Sequence, residues 1–88
     1  MALKGLLSRL GLNIREARNA YGLSQEQLAA QAGLDRAYLG RVERGEANIS
    51  AINLAKLACT LGVEVAALFP PLSELAAKDH KAARTRNR

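Results

Sequence analysis

Residues 36–44 carry three arginines, Arg36, Arg41 and Arg44, with the small Ala37 and Gly40 set among them. A guanidinium presents paired planar donors, the pattern that matches the O6 and N7 edge of guanine. Small neighbours let such a face approach a base edge closely. The plainer reading of the same run is a solvated helix face whose charges serve solubility. Catalytic chemistry has far less to draw on. Cys59 is the only cysteine and His80 the only histidine, so neither a metal-ligand set nor a catalytic pair can be assembled. No glycine-rich phosphate loop is present, and no local signature joins serine, histidine and aspartate into a triad. The chain reads as no enzyme, without a cofactor.

Whatever the arginines do, helices must hold them. Apolar residues recur at steps of three and four, and no stretch alternates as a strand would. Leu7, Leu10, Ile14, Ala17 and Tyr21 predict a first helix, stopped by Gly22. Ser24, with Gln27 three residues on, forms a capping box that opens a second helix. That helix bears Leu28, Ala29 and Ala32 and ends at Gly33. Asp35 caps a third, running to Arg44 and stopped by Gly45. Ser50 caps a fourth, carrying Leu54, Leu57, Ala58 and Leu61 up to Gly62. A short fifth passes through Val65, Leu68 and Phe69 and is closed by Pro70 and Pro71. A further turn or two can follow between Leu72 and Ala83. Eighty-eight residues, 49% of them apolar, make one domain with one core. The expected fold is all-α, a compact five-helix bundle over residues 1–71 with a C-terminal extension over 72–88.

At roughly 100° per residue, Tyr38, Leu39, Val42 and Glu43 share one arc of the third helix, which must face the core. Arg36, Ala37, Gly40, Arg41 and Arg44 share the other. Glu43 is out of place on an apolar arc, and so is Arg18 beside Ile14 and Tyr21 on the first helix. Opposite charges on two inward faces of one small bundle should meet. Arg18 and Glu43 are therefore expected to form a structural ion pair between the first and third helices. Cys59, beside Ala58 and Leu61, is expected to be a small buried hydrophobe. Residues 25–44 thus read as two helices joined by a short turn at Gly33, with the small Ala29 where they cross.

The runs Asn13-Ile-Arg-Glu-Ala-Arg, Leu23-Ser-Gln-Glu-Gln-Leu-Ala, Ala32-Gly-Leu-Asp-Arg and Tyr38-Leu-Gly-Arg-Val-Glu-Arg-Gly, with the later Asn48-Ile-Ser and Leu61-Gly-Val, resemble the Cro/lambda-repressor-like family. That family is also called the XRE family, and the resemblance covers residues 10–69. It implies a lambda-repressor-like bundle acting as a sequence-specific, double-stranded DNA-binding transcriptional regulator. Its helix-turn-helix would be residues 25–44, with recognition helix 36–44 in the major groove. The resemblance also implies base reading by Arg36, Ala37, Gly40 and Arg41 and a backbone-phosphate clamp at Gln25. Tyr38, Arg44 and Asn48 are further phosphate candidates, although Arg44 could instead pair with Glu46. The family pairs the arginine and glutamate that match Arg18 and Glu43. Gly40 departs from the serine or larger residue more usual at its position.

The formal net charge of +5 is unevenly placed. Residues 78–88 hold five basic side chains against Asp79, whereas residues 1–77 hold eight basic and seven acidic ones. The basic tail could add sequence-independent attraction to DNA, stay solvated, or anchor to a partner subunit. With two Tyr, one Phe and no Trp, stacking platforms for single strands are lacking. One helix-turn-helix contacts little DNA, so a homodimer on two half-sites about 34 Å apart is expected. Val65, Leu68, Phe69 and Leu72 are its candidate contact residues, unless they close the monomer core. The alternative function is an antitoxin-type module that neutralises a partner protein, although only residues 70–88 are available to wrap it, which is short for that task. A single cysteine fits a cytoplasmic location. No membrane role is expected, because Lys4, Ser8 and Arg9 break the apolar start.

Overall fold

The computed structural model describes residues 5–75. Helix α1 spans Leu6–Tyr21, α2 Gln25–Ala32, α3 Arg36–Glu43, α4 Ala51–Leu61 and α5 Val65–Leu68, and a single turn, α6, covers Leu72–Leu75. No strand occurs among the described residues, and the fold is the all-α bundle that the periodicity predicts. Helix beyond Leu75 and the basic tail fall on residues outside the described ones. No single helix among the described residues is long and apolar enough to cross a membrane.

Local chemistry sets the helix ends. Ser24 and Gln27 complete both arms of the capping box: Gln27 N donates to Ser24 Oγ at 3.0 Å, and Ser24 N to Gln27 Oε1 at 2.8 Å. Such a box satisfies two backbone donors that a helix start leaves open. Asp35 accepts from the backbone N–H of Tyr38, and Ser50 from that of Asn53. The turn between α2 and α3 passes through Gly33 at φ +72°, a left-handed conformation that costs glycine little.

The core is aliphatic. Ile14 of α1, Leu28 of α2, Leu39 of α3 and Leu57 of α4 are fully buried at its centre. Helix α3 packs on α1 and α2, and α4 backs α1 and α2. Leu68 of α5 closes the bottom, and the Asn13 side chain donates to the Leu68 carbonyl at 2.9 Å. Two expectations of burial are corrected. Tyr21 shares the apolar arc of α1 but is exposed, because it lies in the last turn before Gly22. Cys59 is also exposed, lying beside Ile52, Ala55 and Lys56 on the outer face of α4 rather than with Ala58 and Leu61.

Candidate nucleic-acid interface

Helix α3 is held from beneath and open above. Leu39, Val42 and Glu43 are buried, while Arg36, Ala37 and Arg41 face solvent. Arg36 and Arg41 make no ion pair among the described residues, so their guanidinium donors are available.

One carboxylate fixes the underside. Glu43, only 8% exposed, accepts from Arg18 Nε at Oε2 (2.8 Å) and from Arg18 Nη2 at Oε1 (3.0 Å). Gln25 Nε2 donates to the same Oε1 at 3.0 Å, and Arg18 Nη1 reaches the Leu23 carbonyl at 3.0 Å. Helices α1, α2 and α3 therefore meet on Glu43. A buried charge of this kind needs every one of these partners, because its lost hydration is restored only by several charge-assisted bonds. The part played by Gln25 was invisible in the sequence, since nothing in the spacing 25 and 43 marks a contact.

A second latch holds the loop after α3. Tyr38 Oη donates to the Asn48 carbonyl at 3.1 Å and accepts from Asn53 Nδ2 at 3.4 Å. The Asn48 residue stays exposed beside it. Two helices crossing through a glycine turn, the second braced below and bare above, form a helix-turn-helix.

Comparison with known proteins agrees over most of the chain. The helix-turn-helix family (HTH_3) matches residues 14–68. The chain belongs to the XRE-type helix-turn-helix family. A hypothetical transcription factor from Neisseria meningitidis is 46% identical over 65 residues, which cover 74% of this chain and 61% of that protein. The restriction-modification controller protein C.AhdI from Aeromonas hydrophila superposes with a TM-score of 0.70 at 52% identity, covering 72% of this chain and 96% of C.AhdI. The biofilm master regulator SinR, solved in complex with DNA, gives a TM-score of 0.65 at 35% identity, covering 67% of this chain and 95% of SinR. A family of DNA-binding transcriptional regulators is not one of enzymes.

Within this helix-turn-helix the expected residues divide. Arg36, Ala37 and Arg41 share the open face of α3, but Gly40 does not. Gly40 is buried: a Cβ there would meet Arg44 Nη1 at 3.3 Å and Gln25 Oε1 at 3.4 Å. It is therefore corrected from base reader to floor of the α2–α3 contact. Counting angles around α3 put it outward because the count ignores a neighbouring side chain laid over the helix. Gln25 starts α2 but its amide is engaged by Glu43, which leaves its backbone N–H free in the first turn. Arg44 caps α3 and pairs with Glu46 at 3.1 Å, both side chains more than half exposed. A pair so open to water contributes little and can be exchanged for another anion.

The apolar residues near α5 divide as well. Leu68 is 1% exposed and belongs to the monomer core, so it is withdrawn as a contact residue. Val65, Phe69 and Leu72 are exposed. Val65 and Phe69 line an apolar groove of about 520 Å³ together with Leu7, Leu10, Ile49 and Leu54.

Proposed function

We propose that this regulator binds duplex DNA in a sequence-specific way as a homodimer, with α3 of each protomer in a major groove. Arg36 and Arg41 read guanine edges and Ala37 makes close apolar contact. Gln25, through its first-turn backbone N–H, Arg44 and Asn48 hold phosphates on either side, and Tyr38 joins them by turning its hydroxyl from the Asn48 carbonyl. Residues 1–71 are the DNA-binding unit and 72–88 an extension, and the protein works in the cytoplasm. The observation that carries the reading is the contrast across α3: three buried side chains locked to the bundle, and two unpaired arginines on the opposite side.

The dimer rests on a separate observation. Phe69 and Val65 are exposed and line one apolar groove, so unpartnered apolar groups gather on one face. A two-fold contact buries one such face against its own copy. Sedimentation of the protein with a 30-base-pair duplex carrying a site selected from random DNA tests both parts. Two protomers per duplex are expected. A complex with one protomer contradicts the dimer, and no complex at all contradicts the whole reading.

A further inference from the structure

The junction of α1, α2 and α3 holds a polar pocket of about 270 Å³ lined by Arg15, Arg18, Gln25, Glu43 and Arg44. Three of these five side chains are cations, and the one carboxylate is fully engaged. Glu43 takes both prongs of Arg18 and the amide of Gln25, and its side chain is 3% exposed. The charge left facing solvent is positive. Arg15 is exposed and, among the described residues, makes no ion pair. Arg44 is tied only to the open Glu46.

Gly40 leaves room for the Arg44 guanidinium to lie close to α3. It precedes Arg44 by one helical turn, so a side chain there would stand under the arginine. With none present, Nη1 of Arg44 settles over the bare backbone and next to Gln25. A Cβ there would stand 3.3 Å from Nη1, so the arginine tip would have to give by a few tenths of an ångström, and 3.4 Å from Gln25 Oε1, in ordinary contact.

We propose that Arg15 of α1 contacts a DNA backbone phosphate, in a seat shared with Arg44 and Gln25 for which Gly40 makes room. This rests on the duplex-DNA reading above and extends its footprint from α3 onto α1. A phosphate accepts bidentate hydrogen bonds from guanidinium groups, and such a contact is blind to base sequence.

The test is the salt dependence of binding to a 20-base-pair random-sequence duplex, followed by fluorescence anisotropy of the labelled DNA with the full chain. Losing one phosphate-bound cation lowers the slope of log K against log salt by about 0.9. Arg15→Gln should show that drop, and Arg15→Lys should restore most of it. Lys56→Gln, which removes an exposed cation on the outer face of α4, should leave the slope at the wild-type value. Gly40→Ala should weaken binding several-fold while its melting temperature holds or rises, since alanine favours a helix interior. Equal slopes for Arg15→Gln and wild type, or equal drops for Arg15→Gln and Lys56→Gln, overturn the seat and leave the regulator reading intact. Unweakened binding by Gly40→Ala removes Gly40 from it. Wild-type protein that binds no duplex overturns the regulator reading itself.

Discussion

Gly11 of α1 lies against the carbonyl groups of Val42 and Glu43 at the end of α3, with no room for a methyl group between them. A Cβ on Gly11 would overlap the Val42 oxygen and stand 2.6 Å from that of Glu43. The inward edge of α3 is thus set by backbone meeting backbone, one side chain away from the ion pair at Glu43. Alanine at an open helix position would gain roughly 0.5–1 kcal/mol over glycine. Here the clash is with backbone, which cannot rotate away, and overpacking of this kind costs about 1–3 kcal/mol or more. Gly11→Ala is therefore expected to lower the melting temperature, by roughly 5–15 °C for a domain of this size. A melt at or above the wild-type value would show that α1 and α3 can part freely.

Arg18→Met strands the Glu43 carboxylate, whose side chain is 3% exposed. Breaking a buried pair in this way costs about 3–5 kcal/mol. Denaturant unfolding should show a loss of that order, and Arg18→Met with Glu43→Leu should recover much of it, because the unpaired charge is then gone. If the single variant unfolds no earlier than wild type, Glu43 is not the anchor of α1, α2 and α3.

Arg36→Ala and Arg41→Ala leave the core untouched, since both side chains are exposed. Each should lose about 1–3 kcal/mol of affinity for a selected site and relax the base preference under it. Binding to random duplex should change much less. Equal losses on both kinds of DNA would make the residue a phosphate contact.

Phe69 and Leu68 are neighbours with opposite surroundings. Phe69→Glu places a charge on the exposed apolar face and should shift sedimentation toward the monomer with little effect on the melt. Leu68→Ala should instead destabilise the fold by about 2–5 kcal/mol, the usual range for a buried leucine. Should Phe69→Glu leave the oligomeric state unchanged, the second copy docks elsewhere.

Much of this fold is legible in the residues because its signals are local. Ser24 and Gln27 cap within one turn, Gly22, Gly33 and Gly62 stop helices by their own φ, and the arc of Leu39, Val42 and Glu43 follows from spacing alone. Arg18 and Glu43 could be paired across 25 residues because each was anomalous on its own face. What escaped depends on distant neighbours. The burial of Gly40 needs the Gln25 side chain above it, and the demand for glycine at position 11 needs the end of α3. Leu68 and Phe69 could not be told apart, because the four-residue α5 is too short to show a period. Cys59 was misplaced for a related reason: α4 is apolar well beyond the face it buries, so composition did not mark the inner side.

The most direct measurement is selection of bound sequences by the protein from a pool of random duplex DNA at low ionic strength. An open, arginine-bearing α3 on each of two protomers predicts an enriched motif with two-fold symmetry, its half-sites one helical turn or a multiple apart. That motif should weaken at the positions under Arg36 and Arg41 when those residues are alanine. A pool that emerges without enrichment after repeated rounds would contradict the assignment of α3 as a reader of DNA.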